Sequence, residues 1–173
     1  MNMKLGIVIF PSKKLQDFAN SYRKRYDPHY ALVPPHITLK SPFDAEESDL
    51  KSLTSQLEEI AIKHQPFSFH LSKVKTFHPL NNVIYLKVDP NETLTALNED
   101  LHEDSIIGGK PEYGFVPHLT IGQKLSNLEH DDVYNSLQMT DVDHEETVDR
   151  FHLLYQLENG SWTVYETFLL GKG

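Results

Sequence analysis

Apolar positions along the chain switch between short continuous blocks, which suit buried strands, and i, i+3, i+4 stripes, which suit helices. The block Leu5 to Phe10 predicts a strand. After Pro11, Leu15, Phe18, Ala19, Tyr22 and Tyr26 recur at helical spacing, with Ser12 placed to cap the helix start. Pro34-Pro35-His36-Ile37-Thr38-Leu39 then predicts a strand beginning at a proline. Leu50, Leu53, Leu57 and Ile60 form the stripe of a second helix, and a strand is expected from about Phe67 to Phe77.

The same order then recurs. Val83 to Val88 predicts a strand, and Asp89-Pro90-Asn91-Glu92 predicts a helix start with Pro at the first helical position, leading into Leu94, Leu97 and Leu101. A glycine-containing loop leads to Val116-Pro117-His118-Leu119-Thr120-Ile121. Ser126 and Glu129 predict a capping box for a helix carrying Val133 and Leu137, followed by a strand from about Val148 to Leu157. Asn159-Gly160 predicts a two-residue hairpin into a last strand, Trp162 to Leu170. Each half reads strand, helix, motif strand, helix, strand. The expectation is a single α+β domain with a pseudo-twofold duplicated, bilobal fold, its halves covering about residues 1–78 and 82–173. Two small, mostly antiparallel sheets would carry their helices outside and enclose a central cleft.

Composition narrows the chemistry. With 173 residues, 39% hydrophobic and 24% charged, the chain suits one compact soluble domain. Leu5 to Phe10 is too short for a signal core or a membrane span, so the expected setting is cytoplasmic with no membrane partner. The absence of cysteine excludes disulfides, thiolate metal sites and a cysteine nucleophile. A net charge of −9 argues against wrapping a long nucleic acid, but not against a small phosphodiester or an RNA end held by local positive charge.

Within each motif strand, alternation turns His36 and Thr38 to one face and Ile37 and Leu39 to the other; His118 and Thr120 oppose Leu119 and Ile121 in the same way. Both copies read Pro-His-aliphatic-Thr-aliphatic at the same place in the strand order. Two imidazoles from symmetric strands can flank one phosphorus atom, one taking a proton from the attacking oxygen and the other giving one to the leaving oxygen. The Thr38 and Thr120 hydroxyls can donate to the non-bridging oxygens, where charge builds.

On these two motifs the chain resembles the two-histidine (2H, LigT-like) phosphoesterase superfamily, and within it the YjcG-like group of small bacterial proteins, over nearly its whole length. The resemblance implies a bilobal α+β fold and a metal-independent, cofactor-free cyclic phosphodiesterase activity. The substrates would be 2′,3′-cyclic phosphates or 2′–5′ linkages of nucleotides or RNA ends. It also implies His36 as general acid and His118 as general base, with Thr38 and Thr120 binding substrate. A reading from a different class is a module that binds nucleotides or RNA ends in the same cleft without turnover.

Other features take structural readings. Lys40 and Lys124 read as solvated lysines at strand ends, Tyr113 and Phe115 as core aromatics, and Arg23-Lys24-Arg25 as a solvated helix face. His130-Asp131-Asp132 suits a first helical turn better than a metal site. His144-Glu145 lacks the second histidine of a zinc-protease helix, and Gly108-Gly109-Lys110-Pro111 lacks the hydroxyl residue of a P-loop.

Overall fold

A computed structural model describes residues 2–111 and 113–172. In chain order the elements are β1 (Asn2–Ile9), α1 (Lys13–Tyr26), β2 (Ile37–Glu46), α2 (Leu50–Lys63), β3 (Phe67–Thr76) and β4 (Ile84–Val88), then α3 (Glu92–Leu101), β5 (His118–Gly122), α4 (Asn127–Leu137), β6 (His144–Val148), β7 (Arg150–Gln156) and β8 (Trp162–Leu169). Helices α1 and α4 start where the caps predict. The Ser12 hydroxyl accepts from Leu15 N–H, and Ser126 with Glu129 closes a capping box on α4. At α3 the cap is Asn91, which accepts from Leu94 N–H, so Pro90 precedes the helix and does not occupy its first position. Asp89, the expected cap, is instead engaged by His70 and Ser72.

The strands form one antiparallel sheet in the order β6-β3-β4-β5-β2-β1-β7-β8. The two expected sheets are its four-stranded wings, β2-β1-β7-β8 and β5-β4-β3-β6. They meet where Ile37 faces Leu119. Strands cross between the halves: β3 of the first pairs with β4 of the second, and β7 of the second pairs with β1 of the first. Each wing is thus built from both halves of the chain. Helices follow the same exchange, with α1 packed on β5 and α3 on β2.

One face of the sheet is the core. Ile7, Ile37, Leu39, Leu86, Leu119, Ile121 and Leu153 are all fully buried there. Burial of each such side chain contributes about 1.5–3 kcal/mol, and the aliphatic residues of both motifs thereby fix the opposite face for His and Thr.

Two local departures concern the chain's end. The expected strand from about Val148 is preceded by a separate strand, β6, which pairs with β3. The β7–β8 hairpin forms at Asn159-Gly160, but its loop has one residue more than the sequence suggests. Leu157 N–H donates to Ser161 C=O, and Gly160 sits at φ +91°, the left-handed conformation that follows a tight turn. Among the described residues no helix is long and apolar enough to cross a membrane.

Candidate active site

Because β2 and β5 are antiparallel and Ile37 faces Leu119, one step along each strand sets His36 opposite Thr120 and Thr38 opposite His118. All four side chains lie on the face opposite the core and are half-buried. In such a ladder directly opposed Cβ atoms are about 4.5–5.5 Å apart, and diagonal neighbours such as His36 and His118 about 7–8 Å. The four predicted residues are therefore brought together in one square, with imidazole and hydroxyl alternating at its corners.

Both imidazoles are anchored alike. His36 Nδ1 lies 2.8 Å from Pro34 C=O, and His118 Nδ1 lies 2.7 Å from Val116 C=O. A carbonyl only accepts, so each Nδ1 carries the proton and each Nε2 is left as the working nitrogen. The proline between carbonyl and histidine confines the residue before it to extended backbone, which fixes the direction of that carbonyl. Burial holds both histidines below the ordinary histidine range. The carbonyl bonds oppose this; at His36 the Arg23 guanidinium and His118 push further down, and Asp27 pushes back.

The surroundings of the two histidines differ. His118 is met edge-on by the Phe77 ring at 5.0 Å and by the Tyr85 ring at 5.2 Å, and these two rings stack at 4.3 Å. His36 and Thr120 line a cavity of about 190 Å³ closed by Arg23, Asp27, His29 and Gln123. Arg23 is only 2% exposed: its Nε pairs with Asp27 at 3.3 Å, and its terminal nitrogens donate to the Asn20 side chain and to Val33 C=O, both at 2.7 Å. Asp27 also accepts from His29 N–H and from Gln123. The reading of Arg23 as part of a solvated face is therefore corrected. The sequence signal was present, since Leu15, Ala19 and Arg23 share one helix face and Asp27 follows four residues later.

Lys40 is likewise not solvated. Its ammonium donates to Leu101 C=O at 2.7 Å and to Gly109 C=O at 3.3 Å, tying the end of α3 and the following loop to β2. Burial pushes its pKa down to about 8. Gly108 closes over it at φ +104°, where an added Cβ would stand 2.7 Å from Lys40 Cε and 2.8 Å from Phe43 Cγ. Lys124 is exposed, as is Tyr113, while Phe115 packs against the core. His130 is buried, with Nε2 2.7 Å from Thr76 Oγ1; Asp131 and Asp132 fall in the second turn of α4, not the first. A larger open hollow of about 550 Å³ beyond Phe10 and His152 contains none of the four motif side chains. Among the described residues no group of three or more His, Asp or Glu is placed to hold a metal ion.

Comparison with known proteins identifies the family and the fold. The family model of the 2′-5′ RNA ligase superfamily matches residues 11–160. Proteins of Bacillus pumilus (strain SAFR-032) and Bacillus cereus (strain ATCC 14579), each named "Putative phosphoesterase", are 60% and 61% identical; the matches cover 98% and 99% of this chain and 99% of each relative. Escherichia coli LigT complexed with 3′-AMP superposes with a TM-score of 0.78 at 16% identity, over 99% of this chain and 100% of that one. The protein TT0787 of Thermus thermophilus gives 0.71 at 20% identity, over 98% of each chain. These two likenesses establish the shared fold.

Proposed function

The chain belongs to the 2′-5′ RNA ligase superfamily and is a phosphoesterase, and from that premise we propose that it hydrolyses 2′,3′-cyclic phosphates or 2′–5′ phosphodiester bonds of nucleotides or RNA ends by metal-independent two-histidine catalysis. The observation that carries this reading is the matched pair of imidazoles on neighbouring strands, each held through Nδ1, with no hydrogen bond at Nε2 among the described residues. The fold relative LigT is known in complex with 3′-AMP, a nucleotide whose phosphate sits on the ribose.

In hydrolysis of a 2′,3′-cyclic phosphate, one neutral Nε2 takes a proton from water as its oxygen bonds to phosphorus. The P–O3′ bond breaks, and the other imidazole, protonated at Nε2, gives its proton to O3′, leaving a 2′-phosphate. Thr38 and Thr120 donate to the non-bridging oxygens. We assign the acid to His36 and the base to His118. Because burial disfavours both imidazolium ions in the free protein, the negative phosphate itself supplies the charge that stabilises the protonated partner.

The test is incubation of purified protein with nucleoside 2′,3′-cyclic phosphates and 2′–5′ dinucleotides, following release of the 2′-phosphate with and without EDTA. Chelator-insensitive turnover is expected. Binding without turnover would replace the enzyme with a nucleotide-binding module, and turnover abolished by EDTA would overturn the metal-independent mechanism.

A further inference from the structure

The site face does not stop at the four motif residues. In the wing that carries His118, Lys87 of β4 stands directly opposite His118, and Lys73 of β3 directly opposite Lys87. One row along, Tyr85 stands opposite Thr120, and Lys75 opposite Tyr85. Directly opposed residues of antiparallel strands share a face, and the intervening Leu86, Leu119 and Val74 are all buried on the core side. Three lysines therefore continue the face of His118 and Thr120 outward. With strands about 4.8 Å apart, Lys87 begins one strand and Lys73 two strands, about 10 Å, from His118.

Three observations give this row a ligand. Among the described residues none of the three lysines forms an ion pair, although the chain as a whole carries −9. Asp89, the next acid on β4's site face, is hydrogen-bonded by His70 and Ser72, and the Lys87 charge reaches it only as the smallest of the influences on its carboxyl. Like charges directly opposed across strands, as Lys73 and Lys87 are, destabilise a sheet unless an anion lies between them. A guarding role accounts for only part of the set. Strand β6 covers β3 only from Phe67 to Leu71, so Lys73 and Lys75 do sit on an open edge, where lysine deters edge pairing. Lys87 belongs to an interior strand with β3 and β5 on either side, where no edge needs guarding. The other wing has no counterpart: Val8 stands between Thr38 and His152, and Leu154 lies opposite Gly6.

We propose that the substrate is a single-stranded oligonucleotide whose reacting terminus lies at the two motifs and whose preceding phosphates run outward over Lys87, Lys73 and Lys75. The proposal rests on the phosphodiester reading above and adds to it the class and direction of the substrate. The half-buried Phe77 ring, backed by the buried Tyr85 ring on which it stacks, lies beside the same path, where aromatic surface suits a base.

The experiment compares uridine 2′,3′-cyclic phosphate with a hexauridylate ending in the same group, in the native protein, in Lys73→Gln/Lys75→Gln and in Lys87→Gln. The exposed pair Lys51→Gln/Lys172→Gln serves as control. The native protein is expected to favour the hexamer by tenfold or more in kcat/KM, with the lysine variants losing most of that ratio and the control keeping it. In parallel, fluorescence anisotropy with a 2′-phosphorylated hexauridylate gives the salt dependence of binding. Its log–log slope is expected to fall by about 0.7 for each lysine removed. Equal kcat/KM for monomer and hexamer in the native protein, or lysine variants that keep both the ratio and the salt slope, would overturn the proposal. Should neither substrate turn over, the phosphodiester reading fails, and the anisotropy alone decides this one: a slope lost with the lysines upholds it, and an unchanged slope overturns it.

Discussion

The two wings are alike at their junction and unlike away from it. At the junction each supplies a histidine anchored to the carbonyl two residues back, a threonine two residues on, and buried aliphatics between and beyond. Outward from there, the wing of His36 carries an apolar cluster, Val8, Val33 and Leu154 packed beside Phe10 and Trp162, with the uncharged pair His152 and Thr167 hydrogen-bonded next to it. The wing of His118 carries Lys87, Lys73 and Lys75 around Tyr85. The helices entering the two motifs also differ. Helix α1 ends on the buried Arg23–Asp27 pair beside His36, whereas α3 ends at Leu101, whose carbonyl receives the ammonium of Lys40. On the proposed mechanism, the parts that match are those proton transfer needs from both sides, and the parts that differ are those that would meet the rest of a ligand.

The largest effect should come from the shared centre. His36→Ala and His118→Ala are each expected to lower kcat by about 10²–10⁴, and the double variant by less than the product, because acid and base serve one transition state. Single-turnover rates on a cyclic mononucleotide check this; a loss confined to one histidine would break the equivalence of the wings.

The next effect is on stability and belongs to one wing only. Arg23→Met should strand Asp27 as a buried, unpaired charge at a cost of about 3–5 kcal/mol, read as a lowered urea midpoint. An unshifted midpoint would show that the pair does not hold the His36 side together.

Smaller again are the hydroxyls. Thr38→Ala and Thr120→Ala should each cost about 0.5–1.5 kcal/mol of transition-state stabilisation, roughly 2- to 12-fold in kcat/KM, since the opposite wing retains an equivalent donor. A much larger loss at Thr120 than at Thr38 would carry the asymmetry of the wings into the centre.

The smallest effect is a displacement in pH. The base must be neutral and the acid protonated, and burial lowers both histidines from 6.5. Both limbs of the kcat/KM profile therefore shift to lower pH, and its maximum should lie on the acid side of 6.5. A maximum well above that value would mean that the free protein does not depress its histidines.

The helices, the caps of α1 and α4 and the facing of both motifs were legible in the sequence because each depends on local spacing: the stripe of Leu50, Leu53, Leu57 and Ile60, the Ser126 and Glu129 box, the alternation around His36 and His118. What escaped depends on contacts distant in sequence. Alternation alone would put Lys40 on the face of His36 and Thr38. The register between β1 and β2 slips after Val8–Thr38, and this irregularity turns Lys40 inward to the Leu101 carbonyl. Arg23 escaped because arginine on a helix is ordinarily solvated, and its burial requires Asp27, Asn20 and Val33 C=O together. The lysine row was invisible because Lys73, Lys87 and His118 come from three strands whose alignment only the folded sheet supplies.

The crossing of β3 and β7 bears on how the molecule acquires its structure. A nascent chain that has released only β1 to β3 holds two strands of one wing and one of the other, and β1 still lacks its partner β7, about 140 residues away in sequence. Pairings of such long span close late and slow folding, so neither half is expected to fold before the other is available. Cleavage at the loop between Phe77 and Val83 should give two fragments that are each unfolded alone and acquire a common cooperative transition when mixed.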